Sequence, residues 1–536
     1  RMGVIERDYL PGAPVLRTTW SSPSGRLTLT EGMVSSVIGG LLPSTLMVRR
    51  IEAVGAPARV QVRFAPRRGW RGDHLRLQYA EGRVIARLGG LVVAMMSDPP
   101  IRLESQESVE IDVRPSEPLT IAVTAAWREP LVLISPQRAW QELCEDAARW
   151  RAWSEDVPTD VPFRNAVQRT LLVLRLLTYS PSGAPTGAVT TSLPEEIGGI
   201  RNWDYRFTWP RDAGIGVAAF LGLGKIAEAR MFFHWLLHAS RLDRPRLPAL
   251  FTLDGRRVPD ERSLEDWPGY QESRPVRTGN AARDQHQLDG YGWLVDAMSI
   301  YAEQQGPIRG EGWRAVSHFV DHVAKRWPDP DAGIWEPRHP PAHHTHSKLM
   351  AWLALDRALR LAETHPTRQT KMRRWRDARD ALAAEVRDRG FNSALGSYTR
   401  TYGSTDVDAA LLVLPLLGIE PPDSPRVIGT IEAIRQQLSA GGPYLYRYPP
   451  GTDGLPGGEG AFLPCSFWLV QALARTGQAE EAVSVMKDLL DSAPLGLFSE
   501  EIDPTTGRLL GNFPQALTHA SLLQAVLALR HAGIHD

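Results

Sequence analysis

Twelve helix-forming segments occupy the last two-thirds of this 536-residue chain, and the joints between them alternate between long and short. From about residue 163 onward, apolar residues recur at three- and four-residue spacing, as in HSKLMAWLALDRALRLAE (346–363). The spacing predicts helices near 163–179, 210–222, 225–240, 283–304, 309–327, 346–363, 367–390, 405–417, 424–438, 460–476, 478–491 and 515–533. The joints GLGK, EQQGP, ETHP and RTGQ are tight and stopped by Gly or Pro, and GIEPPDSP is slightly longer. The other six are long and rich in aromatic and acidic residues, among them IGGIRNWDYRFTWPRD (197–212), GIWEPRHPPAHHTHS (333–347) and GLFSEEIDPTTGRLLGNFP (496–514). Short turns make antiparallel neighbours, and twelve helices with alternating joints close into an (α/α)6 barrel. All six long loops then ring one pocket, so the scaffold has a single working end.

Residues 1–135 follow a different period. Alternation in VLRTTW (15–20), RLTLTEGM (26–33), STLMVRRIEAV (44–54), ARVQVRFAP (58–66), LRLQYAEGRVIARLGGLVVAMM (75–96) and LTIAVTAAW (119–127), punctuated by turn residues, predicts an antiparallel β-sandwich. PQRAWQELCEDAARWRAW (136–153) reads as one helix, so the expected organisation is a sandwich over 1–135, a helical linker over 136–160 and the barrel over 161–536.

Composition removes several classes of function. Lys plus Arg and Asp plus Glu number 61 each, so no net positive charge supplies the counterion release that nucleic-acid binding draws on. The longest apolar run, 409–419, is too short to span a bilayer. Two cysteines far apart, Cys144 and Cys465, suggest no disulfide framework, and a cytoplasmic location is expected. The chain opens at Arg1 rather than Met, so the first domain is expected to be N-terminally incomplete.

Hydrolysis of a glycosidic bond needs two carboxyl groups, one protonated and one ionised. The loop after the fifth barrel helix offers Glu336 between Trp335 and Pro337, an apolar flank that suits a general acid. The loop before the last helix offers Glu500 and Glu501 as candidates for the base. Solvated loop glutamates would look the same in sequence. Trp203, Tyr205, Trp209, Arg211 and Asp212 could grip a sugar by an Arg–Asp pair beside stacked indoles, or could form a structural ion pair at a helix start. Arg338 stands two residues beyond Glu336 in the same loop, and Arg447 in a further long loop, followed by the glycine-rich GLPGGEG (454–460). His339, His343, His344 and His346 match no zinc spacing, and no metal is expected there; bracing of the loop by His343 or His346 accounts for them better. There is no GxSxG elbow and no P-loop.

TTSLPEEIGGIRNWDYRFTWPRDA (190–213), WPGYQESRPVRTGNAARDQHQLDGYG (267–292), GIWEPRHPPAHHTHSK (333–348), YLYRYPPGTDGLPGGEGAFLPCSFWL (444–469) and EEIDPTTGRLLGNFPQALTHASL (500–522) resemble glycoside hydrolase family 15 in its bacterial and archaeal branch. The resemblance covers nearly all of 160–536. It implies an N-terminal β-sandwich, an (α/α)6 barrel and an inverting, exo-acting α-glucoside hydrolase, with a small-molecule α-glucoside as its partner. Glu336 matches the family's general acid and Glu500 its base, with Glu501 as the alternative. Arg211 and Asp212 match the pair that holds the terminal glucose, Arg447 an arginine near it, and Trp209 and Trp335 the pocket wall. Trehalose, maltooligosaccharide ends and isomalto-linkages are all compatible substrates. No cofactor is indicated; phosphate, magnesium or calcium dependence occurs in some relatives, and no residue here decides it. The chain departs from the family at YLPGAPVLRT (9–18), which lacks the GSIDW-like stretch usual before it, and at Pro337 and the H-P-P run, which bear on the aglycone. A disaccharide phosphorylase of the same architecture, or a sugar-binding protein on a retired hydrolase fold, are the competing readings.

Overall fold

The computed structural model describes residues 4–35, 45–68, 72–80, 82–103, 108–365 and 367–535. Ser44 and Glu81, inside two of the expected strand runs, Pro366 in an expected turn, and the terminal residues Arg1 and Asp536 lie outside that set. The chain divides into two compact units, Arg1–Asp156 and Val157–Asp536.

In the first unit an antiparallel sheet of eight strands runs, in spatial order, Val4–Tyr9, Leu16–Ser22, Gly25–Met33, Thr45–Gly55, Leu119–Trp127, Leu91–Asp98, Arg83–Leu88 and Leu77–Ala80. Strict alternation splits its side chains between two cores. Leu27, Met95, Leu119 and Ile121 face the two-stranded ladder Ala58–Arg63/Ser108–Val113, where Val62 and Val113 meet them. Val48, Ala94, Met96 and Ala122 face helix α1 (Pro136–Glu155) instead. Two longer strands escape the sequence reading: Val4–Tyr9, which carries Glu6, Arg7 and Asp8, and Ser108–Val113, although SVEIDV alternates strictly. The run 75–96 becomes three antiparallel strands, Leu77–Ala80, Arg83–Leu88 and Leu91–Asp98.

The helix expected as a linker is part of this first unit. Ala139, Leu143 and Ala147, at four-residue spacing, bury themselves against the sheet's second face, and Ser135 caps the helix by accepting from Arg138 N at 3.2 Å.

The second unit is a closed ring of helix pairs. Its helices are α2 (Arg164–Leu176), α3 (Pro210–Gly222), α4 (Ile226–Ala239), α5 (Asp289–Gln305), α6 (Glu311–Arg326), α7 (Thr345–Ala362), α8 (Gln369–Arg389), α9 (Leu414–Leu417), α10 (Pro425–Gln437), α11 (Leu463–Arg475), α12 (Ala479–Asp491) and α13 (Ala516–His531). Along the inner ring α3 packs on α5, α5 on α7, α7 on the 409–417 segment, that segment on α11, α11 on α13, and α13 back on α3. Inner helices are buried nearly all round, as α7 is from Thr345 to Ala362, whereas outer α6 and α12 bury one stripe. The six long connections enter the N-termini of the inner elements, which gathers them at one end. The predicted helix 405–417 is mostly a 3-10 turn, Ala409–Val413, ahead of the four-residue α9. Asp408 starts it late by capping Ala410 N at 2.8 Å, and Pro415 removes a backbone donor from the succeeding turn.

Candidate active site

The N-terminus of α3 sets the first wall of the site. Trp209 occupies the N-cap in an extended conformation, Pro210 takes the first helical position, and Arg211 and Asp212 come next in the first turn. Arg211 Nε donates to Asp212 Oδ1 at 2.7 Å, and its Nη1 reaches the Ile334 carbonyl at 2.9 Å and Gln287 Oε1 at 3.3 Å. Burial pushes the Asp212 carboxyl up, and Arg211 opposes that shift. Tyr205 is held just upstream by a bond from Ala188 N to its carbonyl at 3.0 Å, and its ring meets Trp209 edge-on at 5.5 Å.

Glu336 faces this wall from the 333–347 loop. Its φ is +56°, a left-handed conformation that costs a non-glycine residue on the order of 1–3 kcal/mol and here aims the side chain. Trp209 Nε1 donates to Glu336 Oε1 at 2.8 Å and Gln287 Nε2 donates to the same oxygen at 3.0 Å, with Arg211 Nη1 at 3.6 Å. All three approach one oxygen, which leaves Oε2 as the oxygen available to a substrate. Trp335 beside it donates Nε1 to Asp408 Oδ1 at 2.9 Å and packs against Phe462 and Trp468.

The opposite side is built by a small sheet of Ala461–Phe462, Glu501–Ile502 and Leu509–Leu510. Adjacent residues on an extended segment point opposite ways, and this separates Glu500 from Glu501. Glu500 lines the cavity: its Oε1 accepts from the Tyr205 hydroxyl at 2.7 Å, while its Oε2 is buried without a donor. Burial first, and the nearby Glu195 second, push the Glu500 carboxyl above the ordinary carboxylate range; Arg447 and the Tyr205 hydroxyl pull it back. Glu501 points away from the cavity. Its Oε2 accepts from Gly460 N at 2.7 Å and its Oε1 lies 3.6 Å from Arg447 Nη2.

Arg447 is the hinge between cavity and interior. It lines the cavity, and its Nη2 lies 2.6 Å from Glu459, 3.3 Å from Glu195 and 3.6 Å from Glu501. Arg201 extends the cluster to Asp453 and Glu459, so four carboxylates surround two guanidinium groups, all of them buried side chains. Oxygens of Glu195, Glu459 and Glu501 come within 4.8 Å of one another, close enough to suit a metal ion, but a fixed guanidinium already supplies the positive charge there. The histidines disperse: His339 reaches the Thr452 carbonyl at 3.3 Å, His343 stacks on Tyr402, and buried His346 lies against Trp293 with burial pushing its imidazole down to about 3.

One cavity therefore brings together Tyr205, Trp209, Arg211, Asp212, Trp335, Glu336, Arg447 and Glu500. Trp203, Arg338 and Glu501 lie outside its lining. Trp203 is flanked by the guanidinium groups of Arg277, at 4.5 Å from its ring centre, and Arg338, at 5.2 Å, and Arg338 also pairs with Glu261 at 3.1 Å. Gln287, Asp408, Glu195 and Glu459 support the site, and no sequence signal marks them for it. Glu195 and Glu459 sit inside the quoted motif stretches, but nothing local shows that each closes on Arg447.

A barrel of helix pairs with two carboxyl groups and an Arg–Asp pair in one aromatic cavity is the architecture of a glycoside hydrolase. Residues 161–527 match the family model described as Glycosyl hydrolases family 15. The chain is 35% identical over 552 residues to the trehalase of Mycolicibacterium smegmatis, covering 97% of this chain and 82% of that one. It is 33% identical to the trehalase of Thermoplasma volcanium over 511 residues, 94% and 81% of the two chains. Among solved structures, a bacterial glucoamylase complexed with acarbose superposes with a TM-score of 0.71 over 99% of this chain and 86% of that one, at 13% identity. The chain belongs to glycoside hydrolase family 15 and is an α-glucoside hydrolase.

Proposed function

We propose that the chain is an inverting, exo-acting enzyme that releases glucose from the non-reducing end of trehalose or short α-gluco-oligosaccharides, with Glu336 as general acid and Glu500 as general base. The observation that carries this reading is the shared cavity, in which Glu336 and Glu500 stand with Arg211, Asp212 and Trp209. Glu336 gives its proton to the glycosidic oxygen as the C1–O bond breaks. Glu500 takes a proton from the water that attacks C1 from the other face, so an α-glucoside yields β-glucose. Arg211 and Asp212, fixed to each other at 2.7 Å, are suited to hold vicinal hydroxyls of the terminal glucose. Trehalose is favoured among the substrates because the relatives aligned over most of this chain carry the name trehalase.

The test is glucose release from trehalose, maltose, isomaltose, kojibiose and maltotriose, with the first-formed anomer read by NMR. Trehalose is expected to be cleaved fastest, with β-glucose and α-glucose appearing in equal amounts, because only one of the two rings is inverted. A single α anomer, or a strict need for phosphate as co-substrate, overturns the reading in favour of retention or phosphorolysis.

A further inference from the structure

Between the 3-10 turn Ala281–Asp284 and α5 the chain runs Gln285, His286, Gln287, and it is extended at Gln285, with φ −71° and ψ 150°. Alternation along an extended segment sends both glutamines to one side and the histidine to the other. Gln285 and Gln287 turn toward Glu336, while His286 lines a cleft on the outer flank of the barrel. The backbone of this segment is tied to the start of the acid's loop. Ala332 N donates to the His286 carbonyl at 2.9 Å, and Leu288 N donates to Asp331 Oδ2 at 2.9 Å. Gln285 Nε2 then reaches the carbonyl of Glu336 itself at 3.4 Å, at the residue held in the left-handed conformation.

Gln287 is buried and stays out of the cavity lining, so it acts only through its neighbours. Its amide has a fixed direction. A guanidinium can only donate, so Arg211 Nη1 turns Gln287 Oε1 toward itself at 3.3 Å and the NH2 end toward Glu336. Gln287 Nε2 donates to Glu336 Oε1 at 3.0 Å and to Gln285 Oε1 at 3.1 Å, which uses both its protons. A carboxyl oxygen offers two lone pairs. On Glu336 Oε1, Trp209 Nε1 takes one at 2.8 Å and Gln287 Nε2 takes the other, so no place is left there for a proton.

We propose that Gln287 is a positioning residue that keeps the proton of Glu336 on Oε2, the oxygen available to the substrate. It joins the acid to Arg211 and, through Arg211, to Asp212, so the pair suited to hold the glucose also sets the direction of the acid. Without Gln287 one lone pair of Oε1 is released and the proton can settle there, on the side of Trp209 and away from the glycosidic oxygen. The inference rests on Glu336 acting as the general acid.

A comparison of leaving groups on the full chain tests the role. A departing sugar needs the acid's proton, whereas fluoride leaves without one. Gln287→Met keeps the length of the side chain and removes its donors. It is expected to lower kcat on trehalose or maltose, whichever the parent cleaves faster, by about tenfold or more, and kcat on α-glucosyl fluoride by about threefold or less, with a melting temperature close to the parent's. Gln287→Glu, which when ionised keeps the acceptor for Arg211 and loses the donor to Glu336, is expected to show the same split. Equal losses on both substrates, or no loss on the disaccharide, overturn the positioning role. Glu336→Gln measured alongside keeps the two claims apart. If that variant loses both substrates equally, the acid assignment falls and the role of Gln287 with it; if it spares the fluoride while Gln287→Met does not, only the role of Gln287 falls.

Discussion

The Tyr205 hydroxyl donates to Glu500 Oε1 at 2.7 Å, and the same ring leans on Trp209, whose indole N–H is bonded to Glu336. Two aromatic side chains thus fix both carboxyl groups from behind. The tyrosine's hydrogen bond favours the ionised form of Glu500, whereas burial and Glu195 disfavour it. A base must be ionised to work, so activity is lost as pH falls through the pKa of Glu500. The acid limb of kcat/KM against pH is therefore expected above the ordinary carboxylate range. Tyr205→Phe is expected to move that limb to higher pH and Glu195→Gln to lower pH, and pH–rate profiles of the three proteins check both signs.

Glu336→Gln and Glu500→Gln are each expected to lower kcat by roughly 10²–10⁴-fold, the usual worth of one acid–base group. Glu501→Gln separates role from adjacency. Glu501 faces Arg447 and Gly460 rather than the cavity, so its loss is expected to lower the melting temperature while kcat stays within about tenfold of the parent. Equal collapse of kcat in the Glu500 and Glu501 variants would contradict the assignment.

Gly187 lines the cavity where a side chain has no room. A Cβ there would stand 3.1 Å from both the Trp209 ring and the Tyr205 carbonyl. Gly187→Ala is expected to tilt Trp209 off Glu336 and reduce kcat/KM by about tenfold, with a melting temperature close to the parent's. Steady-state kinetics beside a thermal melt distinguishes this from general destabilisation.

Asp289, at the start of α5, is buried with neither carboxylate oxygen hydrogen-bonded. Burial pushes it up to about 7, from 3.8. Below the unfolded value both states hold the proton. Between the two values the unfolded chain releases it and the folded protein keeps it, so native stability falls as pH rises through that window and levels off above it. Asp289→Asn has no proton to lose. Its gain in melting temperature over the parent is expected to be larger near pH 8 than near pH 4.

Helix number, the alternation of the joints and the end that carries the long loops were all legible in the sequence, because amphipathic period and turn residues are local properties. Glu336 was expected at the long-loop end and lines the cavity there, although Trp335 and Pro337 beside it did not by themselves separate it from a solvated loop glutamate. Glu500 and Glu501 could not be told apart, since neighbours on an extended strand differ only in which way they face, and that is decided by pairing with Phe462 and Leu510. The roles of Glu195 and Glu459 escaped for a related reason: both close on Arg447, which lies 252 residues from Glu195. Trp203 and Arg338, expected beside the sugar, engage each other and Arg277 instead, a cation–ring arrangement that residue type alone does not reveal.

Helix α1 has a practical bearing on any effort to dissect the gene. A cut at Pro136 would assign that helix to the catalytic half and strip Ala139, Leu143 and Ala147 from the sheet, baring Val48, Ala94, Met96 and Ala122 to water. The severed β unit would then carry an adhesive apolar surface and clump. Severing after Asp156 keeps that covering in place, and it is there that the two halves should be parted.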